Sequence, residues 1–236
     1  MAAYAESAEL YDALYRWKDY AAEAHTLQAL IAANARRPVA TLLDVACGTG
    51  AHLAHLKRHY RCAGLDLSAG LLGVARQRHP ELSFTQGDMR DFELGQTFDV
   101  VVCLFSAIGY VETVEGLRQA VAAMARHVSP GGVLVVEPWF LPDEARDRYM
   151  SVLTVEDPDR KIVRASVSRI RDGVTELDFH YLVLTPEGTE HFTEMHRLGV
   201  FTDAAYRSAF TDAGLEVTRD PHGLDGRGLY LGVRPA

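Results

Sequence analysis

The stretch LLDVACGTG, residues 42–50, joins a short apolar run to an acid and then to a glycine-rich turn. An apolar run of this length reads as a buried strand, and a strand feeding a glycine turn and then a helix opens a βαβ unit. The residues that follow repeat the alternation. HLAHLKRHY (52–60) predicts a helix, CAGLDL (62–67) a strand, and AGLLGVARQRH (69–79) a helix capped by Ser68. LSFTQG (82–87) and FDVVVCLF (98–105) predict two more strands. TVEGLRQAVAAMARHV (113–128) predicts a long helix that Pro130-Gly131-Gly132 ends, and GVLVVEPW (132–139) a fifth strand. A helix over 18–34 precedes the set. The strands are almost continuously apolar, as required when both faces of a sheet are covered. The fold class is α/β, a doubly wound parallel sheet.

Beyond residue 150 the pattern changes. KIVRASVSRIRDG, VTELDFHYLVLTPEG and TEHFTEMHRLGVF alternate polar and apolar residues, and predict antiparallel strands joined by Asp172-Gly173 and Glu187-Gly188 turns. TDAAYRSAFTDAG then predicts a helix with a Thr202 cap and a Gly214 stop, and LEVTRD and GLYLGV two closing strands. The expected organisation is an α/β domain over 1–150 and 202–236, with residues 1–37 as a helical lid, interrupted by an antiparallel insert over 151–201. An insert there covers the carboxyl ends of the parallel strands, where open α/β sheets bind ligands.

Composition narrows the function. With 236 residues, 48% of them apolar and 24% charged, the chain can bury a large core without staples. The net charge of −8 argues against a nucleic-acid surface. Three cysteines without CxxC spacing suggest reduced thiols and a cytoplasmic location. No secretory signal and no apolar run of membrane-spanning length is expected.

Three ligands compete for the glycine turn. A P-loop needs a Lys-Ser or Lys-Thr after the turn, and none follows. A dinucleotide fingerprint needs a third small residue where Leu53 stands. The third reading is a nucleoside without phosphates. Gly48 and Gly50 let the backbone approach a ligand. Asp44 accepts from an ammonium group, Asp66 grips ribose hydroxyls, and Asp88 accepts from an exocyclic amine while Met89 offers its N–H to a ring nitrogen. One acid for each of those three groups describes S-adenosyl-L-methionine.

The pattern DVACGTG … GLDLS … GDMRDF resembles the class I S-adenosylmethionine-dependent methyltransferases. The segments AELYDALY, KDYAAEA, FSAIGYV, PGGVLVVEPWF, AFTDAGL and GRGLYLGV extend the resemblance to the N,N-dimethyltransferases of dTDP-linked amino sugars, over essentially the whole chain. The resemblance implies a Rossmann-like sheet, S-adenosyl-L-methionine as cofactor, a dTDP-amino-sugar substrate and a homodimer. It adds Ala46, Leu67 and Leu104 to the cofactor site, and makes Tyr11 and Lys18 partners of the cofactor carboxylate. It also folds the N-terminal segment, with Tyr4, over the site. YRWK (15–18) is shorter here than the family's glycine-containing loop.

The substrate side is then read residue by residue. Arg227, between Gly226 and Gly228, suits capture of a diphosphate by its guanidinium fork. Strand alternation places Arg164, Ser166 and Ser168 on one face, lining the diphosphate or thymine, or facing solvent. Trp139 and Phe140 wall the sugar or the nucleobase, or belong to the core. Glu137 ends a strand as an acid that needs a partner. If a general base exists, Tyr110 is the first candidate and His180 the second. No metal is expected: His52, His55 and His59 read as a solvated helix face.

Overall fold

The computed structural model describes residues 7–236. The chain runs through α1 (Tyr11–Leu14), α2 (Tyr20–Asn34), β1 (Thr41–Val45), α3 (Leu53–Leu56), β2 (Arg61–Asp66), α4 (Ala69–Arg78), β3 (Ser83–Gln86), β4 (Phe98–Cys103), α5 (Val114–Arg126) and β5 (Val128–Val136). There follow β6 (Met150–Glu156), β7 (Lys161–Arg171), β8 (Val174–Thr185), β9 (Gly188–Gly199), α6 (Asp203–Asp212), β10 (Glu216–Asp220) and β11 (Leu229–Val233). The first sheet has the order β10-β11-β5-β4-β1-β2-β3, and β6-β7-β8-β9 form a second, antiparallel sheet. Strands β1 to β5 pair in parallel, whereas β11 is antiparallel to both β5 and β10. Because β1 pairs with both β2 and β4, the winding reverses there, and a crevice opens beyond the carboxyl ends of those two strands.

The apolar strands divide their side chains between two cores. Leu43, Val101, Cys103, Leu134 and Val136 pack on one side with α5 and α6. Leu42, Val100, Val102, Val133 and Val135 pack on the other with α2 and α3. Each such side chain contributes about 1.5–3 kcal/mol on full burial, so the sheet fixes its own register and holds the strand ends still. Helix starts follow the sequence. Ser68, Thr113 and Thr202 each accept a bond from a backbone N–H in the first turn of α4, α5 and α6.

Four local expectations change. The predicted helix over 52–60 shortens to α3, and His52 is buried rather than solvated. Helix α5 stops at Arg126, before the proline, and Pro130-Gly131 lie inside β5 beside a shift of register against β4. Gly132 is needed there, since a Cβ would lie 2.5 Å from the Asp99 carbonyl oxygen. The insert has four strands, not three, because MSVLTVE pairs along β7 as its edge. Its last hairpin turns at Pro186-Glu187, as the pairing of Thr185 with Gly188 requires, while the Asp172-Gly173 turn stands. Among the described residues, no helix is long and apolar enough to cross a membrane.

The second sheet meets the first through a 3-10 turn at Ala107–Val111, against which β9 packs. Contact is close enough that a Cβ on Gly109 would lie 2.9 Å from Leu198 Cδ2. Leu10 and Leu14 of the N-terminal segment form a small third core with Ile162, Phe179, Tyr181 and Val183 of the second sheet.

Candidate active site

The glycine turn after β1 is built from left-handed backbone. Ala46 (φ 60°), Gly48 (φ 56°) and Gly50 (φ 78°) all take it, and only alanine is strained by it. The turn points the Gly48 N–H at Asp66, which accepts it at 2.8 Å and accepts the Ser68 N–H at 2.8 Å. Asp44, at the end of β1, is 2% exposed. Burial, and then the nearby Asp66 charge, pushes its carboxyl up to about 8. Burial raises Asp66 too, while the N–H groups of Ser68 and Gly48 pull it back down.

These acids border two adjoining spaces. The larger, of about 310 Å³, is lined by Asp66, Leu67, Asp88, Met89 and Tyr110 among others. The smaller, of about 20 Å³, reaches Asp44, Tyr20 and His52, and shares Tyr11, Ala46, Leu104 and Phe105 with the larger. Among the described residues no lysine or arginine lines the smaller space. Phosphates set against two buried acids would be repelled, whereas a cation there restores the charge that burial suppresses. The residues present therefore fit a cationic nucleoside such as S-adenosylmethionine. Leu67, 62% exposed at the rim, and Met89 offer apolar surface for a base.

Two residues predicted for the cofactor site have charged protein partners of their own. Asp88 lines the cavity, but Arg90 folds back over the same turn and takes its carboxylate at 2.6 Å. The guanidinium bonds hold that carboxyl below the usual range. Lys18 does not line either space. Its ammonium is buried 2.5 Å from Glu23, which also bonds His52 Nε2 at 2.8 Å, and it lies 4.3 Å from the centre of the Phe105 ring. A buried ammonium needs a carboxylate, and Glu23 on α2 supplies it. Tyr11 does line both spaces. Tyr4 falls outside the described residues.

A second cluster adjoins the cavity behind Phe105. Phe105 (φ 52°) and Ser106 (φ 59°) are left-handed, a strained pair immediately after β4. Arg227 donates to Ser106 Oγ at 2.5 Å and to Asp225 at 2.5 Å, and its guanidinium lies 5.5–5.8 Å from the rings of Phe105, Trp139 and Phe140. The flanking Gly226 (φ 93°) and Gly228 (φ 84°) both need left-handed backbone. Glu137 is fully buried. Its Oε2 accepts the Phe105 N–H at 2.5 Å, and its Oε1 has no hydrogen-bond partner among the described residues. Burial and the neighbouring Asp225 push Glu137 up to about 8, against the pull of Arg227 and Lys18. Trp139 donates to Thr175 Oγ1 at 3.2 Å, which ties this loop to β8.

The face of β7 that carries Arg164, Ser166 and Ser168 turns inward, not to solvent. Arg164 bonds the Tyr15 hydroxyl at 2.9 Å and stacks 4.6 Å from the Phe179 ring centre. Ser166 pairs opposite Phe179, and Ser168 Oγ donates to the Arg146 carbonyl at 2.8 Å. Neither Arg164 nor Arg227 lines the open cavity.

Tyr110 does line it, and its hydroxyl lies 2.7 Å from Nδ1 of His196. His196 Nε2 lies 3.3 Å from Glu194, and Glu194 accepts the Ser7 N–H at 3.1 Å and its hydroxyl at 2.6 Å. His180, the second candidate base, is on the opposite face of the sheet. It is half-exposed against His191 and Asp178, because strand alternation puts it out of phase with Phe179 and Tyr181. Behind Tyr110 stands His196, 1% exposed, and nothing in its sequence neighbourhood distinguishes it from His180 except its strand phase. Among the described residues no cluster of acids, cysteines and histidines has the makings of a metal site.

Residues 42–132 match the family described as methyltransferase domain. The chain is 45% identical over 233 residues to dTDP-3-amino-3,4,6-trideoxy-alpha-D-glucopyranose N,N-dimethyltransferase of Streptomyces venezuelae, covering 97% of this chain and 98% of that one. It is 41% identical to dTDP-4-amino-2,3,4,6-tetradeoxy-D-glucose N,N-dimethyltransferase of Saccharopolyspora spinosa, over 97% of this chain and 93% of that one. The solved structure of an amino pentose methyltransferase from Micromonospora echinaspora, involved in calicheamicin biosynthesis and bound to S-adenosylmethionine, superposes with a TM-score of 0.87. Identity to it is 40%, over 95% of this chain and 96% of that one.

Proposed function

Since the chain belongs to the S-adenosylmethionine-dependent N,N-dimethyltransferases of dTDP-amino sugars, we propose that it methylates the C3 amine of a dTDP-linked deoxyhexose twice. The product is a dimethylamino sugar of the kind attached to antibiotics. The observation that carries the cofactor assignment is Asp44, buried at a small space that among the described residues no lysine or arginine lines, with Asp66 on the adjoining cavity. Asp44 receives the ammonium, Asp66 the ribose, and Asp88 with Met89 the base, while Tyr11, Ala46, Gly48, Gly50, Leu67 and Leu104 close around it. Lys18 acts at one remove, by holding Phe105 and Glu23.

The bound cofactor supplies an electrophilic methyl group on a sulfonium. The chain's part is to hold a neutral amine in line with it, and positioning of this kind lowers a barrier by about 7–11 kcal/mol. Burial favours the neutral amine over its ammonium form. The cavity wall formed by Tyr110 and Phe105 excludes water and orients the amine. Arg227 meets the diphosphate by exchanging Asp225 for phosphate oxygens. Its guanidinium lies 5.5 Å from the ring of Phe105, a residue that lines the cavity, which supports this. Trp139 and Phe140 flank the sugar, and the antiparallel sheet, with Arg164 and Ser166, covers the nucleotide. The working compartment is the cytoplasm, where nucleotide sugars are made, and the working form is a homodimer.

Mass spectrometry of products from a panel of dTDP-3-amino and dTDP-4-amino sugars tests the assignment. Dimethylation of a 3-amino member is expected. Exclusive turnover of 4-amino members moves the reading to the C4 amine, and no turnover of any member rejects it.

A further inference from the structure

We propose that Arg197 and Met195 of β9 form the outer wall of the pocket for the cofactor's adenine, with the Arg197 guanidinium lying flat on the ring. The second sheet, which covers the acceptor nucleotide, then grips the cofactor as well. The proposal rests on the reading that the cofactor is S-adenosylmethionine with its base at Asp88 and Met89. Arg197 and Met195 line the cavity of about 310 Å³ together with Leu67, Asp88 and Met89. They stand two residues apart on one strand, and so share a face.

A chain of alternating charges puts Arg197 at the base end. Asp88, which follows β3, holds the Arg90 guanidinium at 2.6 Å. The Glu112 carboxylate, just after the 3-10 turn, acts electrostatically on Arg90 and accepts from Arg197 Nε at 2.8 Å. On the same guanidinium, Nη1 donates to Glu176 of β8. The chain thus runs from the first sheet to the second. Glu112 takes left-handed backbone (φ 58°), an uncommon conformation for a residue with a Cβ, at the point where the chain reaches Arg197.

Two carboxylates bonded to one guanidinium fix its plane and leave its faces free, and an arginine face stacks on a flat π system. The same pairing selects the kind of ring. Among the described residues, Arg90 and Arg197 are the two arginines on this cavity, no lysine lines it, and a carboxylate already matches each arginine. This end therefore has no spare cation for a phosphate and suits an uncharged base. Leu67 from the first sheet and Met195 from the second, 62% and 47% exposed, supply apolar surface that a purine covers. Without a ligand to stack on, a half-exposed pair such as Glu112 and Arg197 would contribute little.

Calorimetric titration with two ligands tests the wall: S-adenosylhomocysteine, and 5′-methylthioadenosine, which keeps the base and ribose but lacks the amino-acid end. In Arg197→Ala both dissociation constants are expected to rise at least about fivefold, and by the same factor within about twofold, as the loss of one stacking partner dictates. Arg197→Lys keeps a charge for Glu112 but has no planar face, and is expected to lose at least about fivefold as well. The KM for the dTDP-amino sugar that the wild type turns over, measured at saturating cofactor, stays within about twofold in both variants. Met195→Ser is expected to weaken both ligands at least about twofold, and carries the test if the Arg197 variants do not fold. Smaller losses overturn the wall, and leave Arg197 only tying β9 to the turn. A loss for S-adenosylhomocysteine alone puts Arg197 at the methionine end and overturns it too, and so does an acceptor KM that rises in step, which means a loosened sheet. A wild-type protein that binds neither ligand overturns the cofactor reading and the wall together.

Discussion

The two sides of the cavity are made in different ways. The cofactor side is assembled from successive strand ends of one parallel sheet: Asp44 closes β1, Asp66 closes β2, and Asp88 follows β3. Its key bond, Gly48 N–H to Asp66, spans 18 residues. The acceptor side is assembled by packing of remote segments. Tyr110 meets His196 across 86 residues, Arg227 meets Ser106 across 121, and Ser7 meets Glu194 across 187. A side built by one sheet is fixed by that sheet's own register, whereas a side built from a strap, a turn and a second sheet depends on contacts between segments remote in sequence.

That contrast can be broken by mutation. Asp66→Ala carries the largest expected effect. It removes the acceptor for two ribose hydroxyls, each charge-assisted bond worth about 1.5–3 kcal/mol. Cofactor affinity measured by calorimetry falls at least about a hundredfold. A loss under about fivefold would place the ribose elsewhere. Arg227→Ala comes next. It raises the KM for the dTDP-amino sugar about 10–100-fold while the cofactor Kd stays within about twofold, as the loss of one charged phosphate contact dictates. Equal losses for both ligands would merge the two sides that the comparison separates.

Protonation sharpens the same contrast. Asp44 sits at about 8 in the folded protein and near 3.9 when unfolded, so between those values the native state holds a proton that the unfolded chain has lost. Stability of the ligand-free protein therefore falls as pH rises through that window, and Glu137, also at about 8, adds in the same direction. Urea midpoints are expected to drop between about pH 6 and pH 8, and Asp44→Asn flattens the slope. The smallest effect belongs to the exposed strap. Arg16→Ala cuts an ion pair with Asp157 and moves stability by no more than about 0.5 kcal/mol, read from the urea midpoint.

The fold was readable in the sequence because each parallel strand is short, apolar and followed by punctuation. The edge strand β6 was missed, since MSVLTVE turns Met150 and Val152 to solvent, although Asp157-Pro158-Asp159 after it marks the turn into β7. That Asp44, Asp66 and Asp88 line the crevice was readable because a strand end fixes where its last side chain points. The partners of those acids were not. Arg90 reaches Asp88 through a turn, and Glu23 captures Lys18 through helix packing, and neither has a pattern in one dimension. His180 and His196 both lie on apolar-polar alternating strands, and the sequence alone does not show which of them faces inward. The phase of the alternation becomes known only when Phe179 and Tyr181 are seen against Leu10 and Leu14.

Calorimetric titration of the protein with S-adenosylmethionine, repeated in buffers of different ionisation enthalpy near pH 7, tests the central assignment most directly. Binding is expected, with release of up to about one proton as the ligand's ammonium ionises Asp44, and with affinity rising toward about pH 8. Heat of binding from ATP or NAD, with none from S-adenosylmethionine or its demethylated product, would contradict it.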